Sequence, residues 1–313
     1  MPNAIELRGL TRRYTTKREV IALDTVDLDI AEGGITGVLG ENGAGKTTLT
    51  KILATLLFPS EGSARVFGHD VVRDARAVRR FTTAVFGGDR GLYPMLSGRE
   101  NLRYFGVLDG VHGRALRTRM PQVLEDFGLG DAADRRVETY SKGMRQRLHL
   151  CIGLLTRPLL LLLDEPTVGL DPNESARLRE VIADFPRQGT TVVLTSHNLL
   201  DIETLADRVV MLAHGRITQD ASVEEFRRLG GVEAVVTVTT DGSLVLTDEL
   251  KALGASSTPD SSRLTVPVTR WSAEVLARLS HALAGQRIER LDVRTSTLDE
   301  AFAVASRTET ERP

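Results

Sequence analysis

An α/β protein with a mainly parallel central sheet, followed by a small α+β domain, is the fold class the sequence predicts, and three observations predict it. Short apolar segments alternate with helical stretches from Leu159 to Leu212, the pattern of a sheet whose strands are joined by crossover helices. Five consecutive leucines, Leu159 to Leu163, end at Asp164, and so short a run without alternation reads as a strand buried on both faces. The pair Gly230 and Gly231 follows a helix and marks a domain boundary.

Taken in order, the chain opens with short β-rich segments, Ile5 to Leu7, Val26 to Ile30 and Ile35 to Leu39. A glycine-rich turn and a helix from Gly45 to Thr55 follow, and residues 63–67 and 83–86 read as further strands. From Leu96 to Leu155 the pattern is mostly helical, with breaks around Gly110, Gly128 and Gly143. Strand Leu159–Leu163, helix 173–184, strand 191–195, helix 198–206 and strand 208–212 then alternate. This places a large domain at 1–230, with a helical part at 96–156, and an accessory domain at 231–313. In the latter, 232–239 and 263–268 alternate like strands, and helices at 271–284 and 297–306 flank a strand at 288–294. The tail from Thr308 to Pro313 is expected to fray.

With 313 residues the chain can bury two cores, and a formal charge of -2 gives no electrostatic reason to expect nucleic acid as a partner. No window reaches the ~20 apolar residues of a membrane span. The N-terminal MPNAIELRGL lacks a basic region followed by an apolar stretch, so a secretory signal is not expected. The single cysteine, Cys151, excludes an intramolecular disulfide and reads as a packed core thiol. These features fit the cytoplasm.

Gly40, Glu41, Asn42, Gly43, Ala44, Gly45, Lys46 and Thr47 match G-x-x-x-x-G-K-S/T in full, with Thr48 next. The match follows the apolar strand ITGVL and precedes the helix KTTLTKIL. Glycines let backbone N–H groups fold around phosphate oxygens, and the helix terminus adds a positive dipole. Lys46 then bridges the β- and γ-phosphates of ATP, and Thr47 places its hydroxyl on Mg²⁺. Downstream, Asp164 and Glu165 end the leucine strand, at the edge where open α/β sheets bind ligands. Asp164 is expected to reach Mg²⁺ and Glu165 to polarise the attacking water.

Tyr140, Ser141, Lys142, Gly143, Met144, Arg145, Gln146 and Arg147 resemble the signature motif of ABC ATPases. Gly169, Leu170 and Asp171 resemble that family's D-loop, and Thr195, Ser196 and His197 its switch-histidine motif. The ordered set covers residues 4–229. The resemblance implies an ABC ATPase core with an N-terminal antiparallel β portion and a helical insert. It further implies a head-to-tail dimer with a second ATPase subunit, in which Ser141 and Gly143 of one chain face the nucleotide of the other. It makes His197 a contact to the γ-phosphate and Tyr14, 32 residues before Lys46, an adenine-stacking aromatic.

Two stretches depart from the family pattern, the signature and the loop after the strand 83–86. Lys142 stands where glycine is usual and Met144 where glutamine is usual. After the strand 83–86, Gly88 aligns with a glutamine that in the family touches Mg²⁺, so water or Asp89 is expected to replace that contact. Tyr93, Leu96, Tyr104 and Phe105 are candidates for the groove that receives a permease helix. The wording of this region and Ser296–Phe302 resemble the daunorubicin-resistance type of exporter subunit, which implies a separate ABC-2-type permease, efflux of a drug, antibiotic or other amphipathic compound, and a place on the cytoplasmic face of the membrane. Lipid or polysaccharide export is the alternative, and a soluble ABC ATPase acting on ribosomes or DNA a further one, disfavoured by the single phosphate loop and the absence of a heptad run.

Overall fold

The computed structural model describes residues 2–15, 19–87, 91–229, 231–240, 246–257, 263–295 and 297–298. The chain divides into two compact units, Met1–Asp220 and Ala221–Pro313.

In the first unit, β1 (Asn3–Thr15) and β2 (Glu19–Ala31) pair antiparallel well beyond the segments legible in the sequence. The pairing survives Gly9 because register shifts between Leu7 and Leu10 absorb it as a bulge. Gly9 adopts φ 55° there, and its N–H donates to Asp27 Oδ1 at 2.8 Å. Next come β3 (Ile35–Leu39), α1 (Lys46–Leu53), β4 (Glu61–Val66), β5 (His69–Asp70), α2 (Ala75–Phe81) and β6 (Thr82–Phe86). Helices α3 (Gly98–Leu108), α4 (Gly113–Asp126) and α5 (Lys142–Leu154) form the helical insert. The alternating part follows as β7 (Leu160–Asp164), α6 (Pro172–Ala183), β8 (Thr191–Ser196), α7 (Leu199–Leu205), β9 (Arg208–Ala213) and β10 (Arg216–Ser222). Strand β10, RITQDAS, lacks apolar alternation because it lies at a sheet edge, and periodicity does not find it.

Strands β2-β1-β4-β5 form one sheet and β10-β9-β3-β8-β7-β6 the other. In the larger sheet β9, β3, β8, β7 and β6 run parallel. Helix α1 lies between the two sheets: Leu49, Ile52 and Leu53 pack with Ile5, Leu7 and Leu10 on one side and Leu160, Leu162, Val193 and Val210 on the other. All five residues of β7 are buried, and only the alternate Leu160 and Leu162 share the core with α1. Leu161 and Leu163 therefore point to the opposite, equally covered face. Each such leucine contributes roughly 1.5–3 kcal/mol by leaving water, which anchors the strand that carries Asp164.

Register then sets the site. Leu39 of β3 lies beside Ser196 of β8, and Asp164 of β7 beside Thr195. The loop after β3, Glu165 after β7 and His197 after β8 thus leave the sheet at one common edge, the carboxyl ends of its strands.

The second unit begins with α8 (Val223–Leu229), followed by β11 (Ala234–Thr240), α9 (Asp248–Ala252), β12 (Ser256–Ser257), β13 (Arg263–Val268), α10 (Ala273–Ala282) and β14 (Ile288–Thr295). The order β12-β13-β11-β14 with every pair antiparallel makes two interlocked split β-α-β units. Val236, Val238, Leu264 and Val266 of the sheet pack with Leu250 and Leu279 of its helices as a separate core. The helix expected at 297–306 lies, beyond residue 298, outside the described residues.

Candidate active site

The loop after β3 closes on glycine. Gly45 is the N-cap of α1 at φ 111°, and a Cβ there would come within 2.3 Å of the Ala22 carbonyl oxygen and 2.9 Å of Leu23 Cδ2. No other residue fits. Lys46, 6% exposed, donates from Nζ to the carbonyls of Gly40 at 2.6 Å and Glu41 at 3.1 Å. Its ammonium also lies 3.5 Å from Glu165 Oε1. The Ala44 N–H donates to the Glu41 carbonyl at 3.2 Å, closing the turn around Asn42 and Gly43. Gly40 to Thr48 are thus brought into one turn at the N-terminus of α1, whose free N–H groups favour an anion. Tyr14 of β1 reaches the far side of this turn, with its hydroxyl 3.5 Å from Thr48 Oγ1. The Arg12 guanidinium lies 4.7 Å from the centre of the Tyr14 ring.

Asp164 is buried and accepts two hydroxyls, Thr47 Oγ1 on Oδ2 at 2.8 Å and Thr195 Oγ1 on Oδ1 at 2.5 Å. Glu165 adopts the left-handed conformation, φ 53°, with its N–H donated to the Thr195 carbonyl at 3.0 Å. Such backbone strain in a non-glycine residue concentrates at functional sites. It aims the carboxylate at His197, whose Nδ1 lies 2.7 Å from Oε2 and whose backbone N–H lies 3.3 Å from the same oxygen. Nδ1 faces the carboxylate, so Nε2, on the other side of the ring, is directed away from it. Glu165 is 19% exposed at its side chain and His197 49%, so the pair is open to water.

The signature residues lie at the start of α5. Ser141 is its N-cap and accepts the Met144 N–H at 3.1 Å. Gly143 is buried, and a Cβ there would come within 2.6 Å of Glu174 Oε2. Glu174 in turn pairs with Arg147 at 3.1 Å. The Lys142 ammonium fills the space over Gly169 that any side chain at 169 would need. Among the described residues neither Ser141 nor Gly143 makes a hydrogen bond to the phosphate loop.

Sequence reasoning missed Gly87. Its N–H donates to the Asp164 carbonyl at 2.8 Å, and a Cβ would come within 2.9 Å of the Glu165 carbonyl oxygen. This close approach seats the residue after β6 against the backbone of both carboxylate residues, Asp164 and Glu165. Gly88, aligned with the family's glutamine, and Asp89, expected with water to replace its contact, lie outside the described residues. The second hydroxyl on Asp164, from Thr195, and the Arg12 contact to Tyr14 were also missed: the first arises from the register of β7 against β8, the second from two residues two apart along β1.

A phosphate-accepting turn, a hydroxyl-linked aspartate and a strained glutamate joined to histidine, all at the carboxyl edge of a parallel sheet, define an ATPase of the phosphate-loop class. Comparison with known proteins narrows the class. The ABC transporter family profile matches residues 23–168. The chain is 41% identical over 303 residues to the daunorubicin resistance ATP-binding protein DrrA3 of Streptomyces coeruleorubidus, covering 96% of this chain and 94% of that one. It is 36% identical over 326 residues to the doxorubicin resistance ATP-binding protein DrrA of Mycobacterium tuberculosis, covering 98% and 95%. A solved ATP-binding subunit of an ABC transporter superposes with a TM-score of 0.64 at 28% identity, covering 73% of this chain and 93% of that one. An ATP-binding cassette solved as a dimer with ADP and Pi shares the fold, with a TM-score of 0.64 at 24% identity, covering 70% and 98%. The chain belongs to the ABC transporter family as an ATP-binding, ATP-hydrolysing subunit of the drug-resistance type.

Proposed function

We propose that this chain powers a separate ABC-2-type permease and drives efflux of a drug, antibiotic or other amphipathic compound. The relatives named for daunorubicin and doxorubicin resistance support the substrate class. Among the described residues no helix is long and apolar enough to cross a membrane, which suits a chain that borrows its channel and sits on the cytoplasmic face. The single observation that carries the catalytic reading is the convergence of Lys46 and His197 on the two oxygens of Glu165.

In this reading the N–H groups of the 40–48 turn and Lys46 hold the β- and γ-phosphates of ATP, while Tyr14 stacks on adenine. The Thr47 hydroxyl and the Asp164 carboxylate are hard oxygen donors linked at 2.8 Å, a set that fits Mg²⁺. When bound, Mg²⁺ supplies neutralisation of charge on the phosphate oxygens. Glu165 accepts a hydrogen bond from the attacking water and orients it toward the γ-phosphorus. His197, held beside Glu165 through Nδ1, donates a ring N–H at Nε2 to a γ-phosphate oxygen. Ser141 and Gly143 of a second subunit close over the nucleotide, so hydrolysis requires a head-to-tail dimer.

The permease docks beside α3. Tyr93, Tyr104 and Phe105 form a ring cluster with centroids 4.9 to 5.9 Å apart, and Met95, Val107 and Leu108 next to it are exposed. Leu96 is half-buried, and its N–H donates to the Tyr93 carbonyl at 3.2 Å. Affinity capture of the chain from solubilised membranes of its native cell tests the whole reading. A polytopic membrane protein in stoichiometric amount is the expected result; ribosomes or nucleic acid without a permease would overturn it.

A further inference from the structure

A buried carboxylate outside the site touches both loops that carry its chemistry. Asp201, in the first turn of α7, has no exposed surface. Its Oδ2 accepts the hydroxyls of Thr167 and of Ser196, the latter at 3.1 Å, and its Oδ1 accepts Arg179 Nε at 2.7 Å. Thr167 stands two residues after Glu165, and Ser196 immediately precedes His197. The Ser196 hydroxyl also accepts the Asn198 N–H at 2.9 Å, tying the far side of His197 to the same point. One carboxylate therefore pins four segments: the loop after β7, the loop after β8, α6 through Arg179, and α7 through its own backbone.

The anchor itself is rigid. Ile202 beside it is fully buried and lies so close to Gly37 of β3 that a Cβ there would come within 2.7 Å of Ile202 Cδ1. A buried ion pair is a poor source of stability, because desolvation offsets most of the attraction. Its value lies in geometry: three donors fix the carboxylate in a low-dielectric place where each hydrogen bond is costly to leave unmade.

We propose that Asp201, with Arg179 as its counter-ion, is a positioning residue that holds Glu165 and His197 in register for hydrolysis. The inference rests on the roles given to Glu165 and His197 above. It goes beyond them in placing the control of their 2.7 Å contact on a group that touches neither.

Steady-state ATP hydrolysis by the purified full-length chain tests it. Asp201→Asn and the pair Thr167→Val with Ser196→Ala are compared with wild type and with the hydroxyl-preserving Thr167→Ser. The paired variant leaves the Arg179–Asp201 ion pair intact, so it reports on the link even if Asp201→Asn does not fold; thermal melts establish which variants are folded. We expect kcat to fall by about tenfold or more in the paired variant while KM stays within about twofold, since small misplacements of reacting groups cost mainly turnover. Thr167→Ser should retain kcat. Added to His197→Ala, the paired substitution should cost no further turnover, because both act through the same contact. A folded paired variant with wild-type kcat, or one whose loss multiplies fully with that of His197→Ala, would overturn the inference. Wild-type turnover by His197→Ala alone would instead overturn the role of His197, and the inference with it.

Discussion

Glu165 Oε2 lies 2.7 Å from His197 Nδ1 across two adjacent parallel strands, while its other oxygen lies 3.5 Å from the Lys46 ammonium. One carboxylate thus joins the three loops that leave the carboxyl edge of the sheet, and this arrangement carries most of the expectations that follow.

Glu165→Gln keeps the shape of the side chain and removes its basicity. Phosphate release should fall by about 10²–10⁴-fold, while equilibrium binding of Mg-ATP persists and a nucleotide-bound dimer accumulates in light scattering. A monomer under saturating Mg-ATP would count against the dimeric mechanism.

Asp164 is held by hydroxyls on both oxygens, so its removal should weaken the metal more than the nucleotide. Chelation of Mg²⁺ should abolish turnover and its return restore it. In Asp164→Asn the half-maximal Mg²⁺ concentration should rise by about 10- to 100-fold. An unshifted Mg²⁺ dependence would remove Asp164 from the metal site.

Tyr14 offers a ring already held by Arg12 at 4.7 Å. Loss of a stacking partner worth about 0.5–1.5 kcal/mol should raise KM for ATP roughly 2- to 12-fold in Tyr14→Ala, with kcat unchanged. Tyr14→Phe loses only the long contact to Thr48 and should behave as wild type. Equal KM values for all three proteins would leave the ring without a role in binding.

Cys151 is fully buried in α5, with Sγ 3.5 Å from the Val123 carbonyl oxygen. Burial pushes its thiol well above the usual range. Iodoacetamide at pH 8 should leave it unmodified in the native protein, and labelling should follow urea unfolding step for step. Rapid alkylation without denaturant would show that the helical insert opens locally.

Much of this was legible in the chain itself. The phosphate turn is local: glycine spacing and the strand and helix on either side of it dictate its shape without help from distant residues. The leucine strand ending in Asp164 and Glu165 reads equally well, because burial on both faces removes polar residues from the run. The two long strands β1 and β2 were seen only as fragments, since a bulge at Gly9 breaks the alternation but not the pairing. Short α9 and edge strand β10 left no periodic trace.

The sequence by itself determined which chemical groups are present and which strand ends they leave from. Only the tertiary structure decided how they meet. Strand register set Thr195 beside Asp164 and His197 beside Glu165, and no spacing along the chain encodes a contact between residues 32 apart in sequence. Asp201 makes the point most clearly: in sequence it is an acidic residue in the first turn of a helix, where exposure to water is usual. Packing of α7 against Gly37 takes it out of water, and its three donors come from loops and a helix that the fold alone brings together.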